Sequence, residues 1–290
     1  MRRREGIVAL AALVAVALLG AGAARAERAR HSLRVELEPA AGHLGVVDRV
    51  ELPTGGQIDF LLHANLALTA SEPTAQEIPL GDVTPFVGIN AAPVERAGAG
   101  ELRRYRVTLP EGGGTLRLEY GGPFDFGLDA PEEEYARGMR ETTGIVSSTG
   151  VYLAGASFWY PVFDQEPIEF ELAATAPDGW HLISQGDGTS RGEDGVARWS
   201  SAGPADEIYL VGGPLLLYRR PAGPAEAQVY LHEVDEALAE RYLSATAEYL
   251  DMYSRLIGPY PYGKFALVEN FWETGFGMPS FTLLGPQVIR

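Results

Sequence analysis

The chain has 290 residues, 46% of them hydrophobic, which predicts one large domain or two ordinary ones with a buried core and excludes a disordered chain. Its 39 Asp and Glu outnumber its 23 Lys and Arg, and the formal net charge of −16 argues against nucleic-acid binding because such a surface repels phosphate groups. The absence of cysteine excludes a disulfide framework, a thiolate zinc site and a cysteine nucleophile.

Residues 1–26 have the pattern of a signal peptide. The basic stretch MRRRE precedes the apolar run GIVALAALVAVALLGAGAA, and Ala24-Arg25-Ala26 is a small-x-small cleavage site before Glu27. We therefore expect an exported protein, periplasmic or extracellular, that contacts a membrane only through this peptide and, without cysteine, is not a lipoprotein. An uncleaved membrane anchor is the alternative, but the glycines at 20 and 22 favour removal over a spanning helix.

Residues 27–221 have the sequence pattern of a β domain. The stretch HSLRVELEP alternates apolar and polar residues with period two, which is typical of a half-buried strand. Further strand-like stretches are QIDFLLHANLAL, LRRYRVTLP, TLRLEY, IEFELAATAP and ADEIYLVGGPLLLY, with Gly, Pro and Asp at the turns between them. Many short strands with regular turns predict an antiparallel β-sandwich or saddle, so the expected fold class is mainly β.

Residues 222–290 change to a strand, a helix and a strand. The helix is predicted from apolar residues that recur every three or four positions, namely Leu238, Tyr242, Ala245, Tyr249, Tyr253 and Leu256. Asp235 is placed to cap its start, and Gly258 followed by Pro259 ends it. The stretches AQVYLHEV before it and FALVENFW after it are predicted to be strands. We expect an α+β segment that begins here and is not completed within the chain.

Three short motifs have a chemical interpretation and a plainer one. In HEVDE, His232 suggests a zinc helix, but such a helix has a second His at i+4, where this chain has Glu236. A capped helix start with an acidic first turn explains the motif better. The aromatic residues of ASFWYPVFDQEP either pack in the core at a sheet corner or line a cleft between two domains. GFGMPS is not a phosphate loop, because the FTLLGPQVI that follows is not helical.

Three stretches, in order along the chain, carry a family resemblance: FWYPVFDQEPIEFELAATAPDGWHLISQG, ALAERYLSATAEYLDMYSRLIGPYPYGKFALVENF and GFGMPSF. They resemble three features of the aminopeptidase N-type gluzincin metallopeptidases, peptidase family M1. These features are a Phe-Pro-Cys-x-Asp-x-Pro segment, a helix followed by a Gly-x-Pro-Tyr-Pro turn, and a Gly-x-Met-Glu-Asn motif. Val162 replaces the Cys of the first. The resemblance covers most of residues 152–284.

The resemblance implies a β domain at 27–221 packed on the truncated start of a thermolysin-like α+β catalytic domain at 222–290. It implies that the glycine-rich stretch is an edge strand whose backbone pairs with an extended peptide substrate, a mode called β-augmentation. The implied substrate-binding residues are Gly275, Phe276, Gly277 and Met278, with Trp272 and Phe276 as pocket walls. The chain ends before the zinc motif, so no catalytic residue or metal ligand is expected in it, and zinc is expected only in the full-length protein.

Two departures from the family pattern bear on activity. Pro279 stands where the motif has Glu, and Ser280 where it has Asn. In the family that Glu binds the free α-amine of the substrate, a charge-assisted contact. A second amine-binding Gln or Glu is expected before the first segment, but none occurs between Thr142 and Asp164. Ordinary aminopeptidase specificity is therefore not expected.

The leading hypothesis is the N-terminal part of an exported zinc-metallopeptidase-like protein that, at full length, hydrolyses peptide bonds, while this fragment alone is inactive. The alternative is a non-catalytic exported β-rich binding or scaffold protein that keeps the peptidase fold.

Overall fold

A computed structural model describes residues 28–87, 101–128 and 142–290. The predicted signal peptide, residues 1–26, lies outside the described residues. The strands, in chain order, are β1 (Arg30–Glu38), β2 (His43–Leu52), β3 (Gly56–His63), β4 (Ala67–Glu72), β5 (Gln76–Ile78), β6 (Leu102–Leu109), β7 (Gly114–Pro123), β8 (Ile145–Ser147), β9 (Gly150–Leu153), β10 (Glu169–Thr175), β11 (His181–Ile183), β12 (Asp187–Thr189), β13 (Ala197–Ser200), β14 (Leu210–Gly213), β15 (Leu216–Ala222), β16 (Ala225–Leu231), β17 (Lys264–Glu269), β18 (Gly275–Met278) and β19 (Phe281–Leu284). The helices are α1 (Thr84–Val87), α2 (Glu236–Leu256) and α3 (Pro286–Ile289). Among the described residues, no helix combines the length and the apolar character needed to cross a membrane.

The N-terminal part is built from three sheets, so the prediction of a mainly β fold is confirmed. A seven-stranded sheet has the order β12-β13-β10-β1-β2-β7-β4, a four-stranded sheet the order β11-β14-β9-β8, and a three-stranded sheet the order β3-β6-β5. All their pairings are antiparallel except that of β1 with β10. The alternation expected of β1 is present, since Leu33, Val35 and Leu37 are buried between exposed neighbours.

The C-terminal part is a five-stranded mixed sheet of order β15-β16-β17-β19-β18. Strands β16 and β17 are parallel and are connected by α2, as a parallel pair requires a crossover. Period-two alternation separates the two faces of the sheet. Ala227, Val229 and Leu267 pack with α2, whereas Tyr230 and Val268 belong to the same core as the β-sandwich. The sheet therefore lies between the helix and the N-terminal sheets.

Helix α2 begins and ends where the sequence predicts. The N-cap Asp235 accepts a hydrogen bond from the Leu238 backbone N–H at 2.9 Å. The predicted buried face is partly wrong, because Tyr249, Tyr253 and Leu256 are 58%, 50% and 72% exposed. The buried positions are Leu238, Ala239, Leu243, Thr246 and Leu250. This second stripe has the same helical spacing, and its smaller side chains permit a closer approach to the sheet.

The predicted domain boundary falls inside a β-hairpin. Strand β15 pairs with β16 along its whole length, and the turn between them is Gly223-Pro224. Gly223 has a φ of 66°, which suits the first central position of a two-residue hairpin turn. The division into a β domain at 27–221 and a second unit at 222–290 stays a prediction about independent folding.

Candidate functional site

The glycine-rich stretch forms β18, a strand at the edge of the mixed sheet. Strand β18 pairs with β19 in antiparallel register, from Gly275 opposite Leu284 to Met278 opposite Phe281. In the strand order no further strand lies beyond β18. One side of this strand therefore has no strand partner within the part of the chain that the structure describes.

The register decides which backbone groups face the open edge. The Gly285 N–H donates to the Thr274 carbonyl at 2.8 Å, which places residue 274 in a hydrogen-bonded pair. Because hydrogen-bonded and non-hydrogen-bonded pairs alternate along an antiparallel ladder, Phe276 and Met278 also bond to β19. The N–H and C=O groups of Gly275 and Gly277 consequently point to the open edge.

Gly277 is not required by the local fold. Its φ is not positive, and neither is that of Gly275. A Cβ atom placed on Gly277 would meet no atom within 4 Å. Neither a turn nor close packing therefore explains a glycine here. What the missing side chain does provide is unobstructed access to the backbone of the edge.

The other face of β18 packs on the N-terminal sheets. The Phe276 ring stacks on Tyr152 with centroids 5.8 Å apart, and Trp272 meets Tyr152 edge-on at 5.3 Å. Trp272 is only 5% exposed, and Met278 lies in the main core. Trp272 and Phe276 thus both contact Tyr152 of strand β9, and these ring contacts hold β18 against the N-terminal sheets. Sequence reasoning missed Tyr152, because nothing in its local pattern connects it to residues more than 100 positions away.

The aromatic cluster of the FWYPVF stretch is core. Phe158, Trp159 and Tyr160 are at most 4% exposed. The Trp159 indole N–H donates to the Ile208 carbonyl at 3.1 Å, and the Tyr160 hydroxyl accepts from the Ile208 N–H at 3.2 Å. Of the two interpretations left open by the sequence, these three residues support core packing.

The turn that connects β18 to β19 is Pro279-Ser280. Ser280 has a φ of 66°, which together with the preceding proline fits a type II turn, where glycine is the usual residue. The strained conformation is held by side-chain bonds, since Ser280 Oγ accepts from the Gly186 N–H at 3.1 Å. Ser280 is 3% exposed, so the tip of this hairpin is buried against the N-terminal part.

Lys264, the first residue of β17, is buried beneath this turn. Its Nζ lies 2.9 Å from the Ser184 carbonyl, 3.2 Å from the Ser280 carbonyl and 2.8 Å from Ser280 Oγ. It also lies 4.9 Å from the ring centroid of Trp199 and 5.0 Å from that of Phe281. Burial lowers the pKa of Lys264 to about 7, an effect that nearby Asp187 partly opposes.

Sequence reasoning missed Lys264, although a signal was present. It is the one lysine in the chain, and all the other basic residues among the 23 are arginine. A lysine where the composition favours arginine indicates a position that needs a compact ammonium group with three donors.

The HEVDE motif is a junction, as the plainer interpretation predicts. His232 follows β16 and precedes α2, so it lies outside the helix. Its backbone N–H donates to Glu269 Oε2 at 2.9 Å, and Arg290 Nη2 lies 2.9 Å from Glu269 Oε1. Burial lowers the pKa of His232, and Glu269 opposes that effect.

The residues that the structure describes do not fit a zinc ion. In residues 28–87, 101–128 and 142–290, no three His, Asp or Glu side chains converge as a metal site would require. The Glu269 carboxylate is occupied by its bonds to Arg290 and His232. Whether this chain binds zinc in solution stays a prediction.

The chain is similar in fold to a class of proteins, the M1 zinc metallopeptidases. No protein-family model and no curated protein sequence matches it. Among solved structures, the M1 zinc metallopeptidase of Deinococcus radiodurans, in a mutant form bound to a Tyr-Ser-Ala substrate, matches with a TM-score of 0.65 and 15% identity over 91% of this chain and 62% of that one. Yeast LTA4 hydrolase matches with a TM-score of 0.58 and 12% identity over 90% of this chain and 40% of that one. An aminopeptidase N family protein of Idiomarina loihiensis matches with a TM-score of 0.52 and 13% identity, over 88% and 42%.

These identities show a shared fold and do not by themselves assign an activity. The chain spans less than two thirds of the length of these proteins. The resemblance predicted from the sequence is confirmed at the level of the fold.

Proposed function

We propose that this chain is the substrate-binding part of an exported zinc-metallopeptidase-like protein, and that it binds an extended peptide along β18. The observation that carries the proposal is the open edge, where Gly275 and Gly277 direct their backbone groups outward and no side chain covers Gly277. An added strand would satisfy those groups with main-chain hydrogen bonds. Phe276, Met278 and Trp272 support the strand from behind by packing on the N-terminal sheets.

The role of this chain is to bind and orient, not to carry out the bond cleavage. The described residues offer no zinc ligand set, so no chemical step is assigned to them. In a longer protein that held zinc on residues outside the described ones, the metal would supply Lewis-acid chemistry. The edge strand would hold the peptide extended, which reduces the entropy lost in reaching a reactive geometry.

Recognition of a free α-amine is not part of the proposal. Pro279, in the position of the family's Glu, has neither a charge nor an N–H. Glu207 is already engaged, since both its carboxylate oxygens accept hydrogen bonds, one from the Gly155 N–H and one from the Tyr209 hydroxyl. We therefore expect the chain to bind free and N-acetylated peptides alike, and a full-length enzyme to turn both over comparably.

The competing proposal is an exported binding or scaffold protein that keeps the peptidase fold without its chemistry. The replacement of the amine-binding residues favours this second function. Both proposals share the open edge, so peptide binding tests what they have in common, and turnover by the full-length protein separates them.

The test of the edge compares two glycine variants. Calorimetry with Tyr-Ser-Ala and N-acetyl-Tyr-Ser-Ala should give dissociation constants within about threefold of each other, because no charged group distinguishes them. Gly277→Val should weaken both by at least about tenfold, equivalent to ~1.4 kcal/mol, because its side chain obstructs the edge. Gly203→Val is the matched control, since a Cβ atom there also meets nothing within 4 Å. The proposal is overturned if the native chain binds neither peptide, or if Gly277→Val binds them normally.

Two further outcomes concern the full-length protein. A preference for the free amine above about a hundredfold in kcat/KM, ~2.7 kcal/mol, would show that another acidic group binds the α-amine. Export is checked by N-terminal sequencing of secreted material, which we expect to begin at Glu27. A mature chain that starts at Met1 and stays in the cytoplasm would contradict it.

A further inference from the structure

Ser280, at the tip of the edge hairpin, is hydrogen-bonded to the N-terminal part of the chain. Ser280 accepts two hydrogen bonds at Oγ, from Gly186 N–H at 3.1 Å and from Lys264 Nζ at 2.8 Å. Its carbonyl accepts from the Ala266 N–H at 3.0 Å and from Lys264 at 3.2 Å. The turn is thus bonded to β17 and to the loop before β12 at the same point.

The geometry around Lys264 matches the valence of an ammonium group. An ammonium has three N–H donors, and three oxygen acceptors lie within 3.2 Å of Nζ, from Ser184 and twice from Ser280. The remaining surroundings are the faces of Trp199 and Phe281, which attract a cation. A neutral amine has two N–H groups and a lone pair, so it would lose at least one of the three bonds.

We infer that Lys264 is the positioning residue of the edge strand: it fixes the Pro279-Ser280 turn to the N-terminal sheets and so holds β18 where a peptide can pair with it. The inference rests on the proposed function for its purpose, although the attachment itself is testable without a peptide. Lys264 does not face the open edge, because its side chain is buried and its Nζ bonds to Ser280 in the turn.

Lys264 is the group in this contact whose charge changes near neutral pH. Its pKa of about 7 means that the ammonium donates fully below neutrality and only in part above it. The ionisable neighbours are few. Asp187 on β12 accepts from the Gly263 N–H at 2.6 Å, the Tyr260 hydroxyl donates to the Lys264 carbonyl at 3.0 Å, and Glu226 is the register neighbour on β16.

The first experiment measures hydrogen exchange of the full chain. In Lys264→Met, the amides of Phe276, Met278, Phe281 and Leu283 should exchange at least about tenfold faster relative to those of β1 and β2, since ~1.4 kcal/mol of local protection corresponds to tenfold. Binding of Tyr-Ser-Ala should weaken by a similar factor. Uniform acceleration in all strands, or none in the hairpin, would overturn the inference.

The second variant separates the side-chain contact from turn propensity. Ser280→Gly relieves the strain of a positive φ, so a turn effect alone would slow exchange in the hairpin. Loss of Oγ removes the bonds to Lys264 and Gly186, so our inference expects faster exchange instead. Ser280→Asn, which tolerates this φ and keeps a side-chain oxygen, should restore at least part of the protection.

A pH titration provides a readout that a merely structural lysine would not move. Because the chain has one lysine, ¹³C- or ¹⁵N-labelled lysine gives one side-chain signal. The ratio of hairpin exchange to β1–β2 exchange should fall as pH rises above the midpoint of that signal, because opening returns Lys264 to water and costs more once the closed hairpin holds the neutral amine. The ratio should be flat in Lys264→Met. A ratio in the native chain that stays constant while that signal titrates would overturn the role of Lys264. A native chain that binds no peptide but shows these shifts would refute the proposed function and leave the attachment standing.

Discussion

A single buried amine makes the stability of this protein depend on pH in an unusual direction. In the unfolded chain Lys264 has an ordinary pKa of ~10.4, whereas burial lowers the pKa to about 7 in the folded chain. Between these values the unfolded state binds more protons than the folded state. The free energy of unfolding therefore rises with pH over that window, with a limiting slope of ~1.4 kcal/mol per pH unit.

The prediction is that Lys264→Met removes this rise. Urea denaturation of both proteins at intervals from pH 6 to pH 9 measures it, and the difference between them cancels groups that the variant leaves unchanged. Arg255→Met, at an exposed ion pair with Asp251, is the control and should leave the slope intact. A difference between native and Lys264→Met that is constant with pH would show that the amine stays charged in the folded state.

At this scale the sequence indicated backbone roles better than side-chain roles. The edge position of Gly275 and Gly277 was predicted from the family resemblance, and glycine fits that role because it lets another backbone approach closely. Tyr152 and Lys264 were missed because their roles depend on Phe276 and Ser280, partners that only the tertiary fold brings near.

Helix α2 offers a direct test of which face is buried. Leu243 is 6% exposed and Tyr249 is 58% exposed, although both belong to stripes with helical spacing. We predict that Leu243→Ala lowers the free energy of unfolding by about 2–5 kcal/mol, because it leaves a cavity against the sheet. Tyr249→Ala should change it by less than about 0.5 kcal/mol. Denaturation in urea measures both, and equal losses would mean that Tyr249 is covered in solution.

The elements themselves were predictable, and their orientation less so. Period two in HSLRVELEP and the Asp235 cap are local signals, and both were confirmed. The prediction of the buried stripe of α2 was partly wrong because two stripes of this helix have the same spacing, and spacing alone does not show which of them faces the sheet. The buried stripe of α2 includes the small side chains Ala239 and Thr246, which let the helix approach the sheet closely.

The two parts of the molecule share one core. Tyr230, Val268 and Phe281 of the mixed sheet lie in the same cluster as the β-sandwich residues. Sequence patterns could predict that 222–290 needs a partner but not that the partner is the N-terminal part, because alternation shows that a face is buried without showing what covers it.

This shared core sharpens the prediction about fragments. Residues 27–221 should fold alone, but with a lower urea midpoint than the whole chain, since the cut separates β15 from β16 and exposes the shared face. Residues 222–290 should show no cooperative transition, because Tyr230, Phe281 and their neighbours lose their cover. Circular dichroism during urea denaturation measures both. A cooperative transition in the shorter fragment would contradict the prediction.

The open edge of β18 also has a consequence for solubility. The unpaired N–H and C=O groups of this edge can form hydrogen bonds with any extended chain, including the same edge of a second copy. Strand β18 has no charged side chain that would repel such a chain. The net charge of −16 keeps copies apart over distances of about 10 Å at ~0.1 M salt, and added salt shortens that range. Self-association through this strand should therefore increase with ionic strength, and a peptide bound along the edge should suppress it by occupying the same backbone groups.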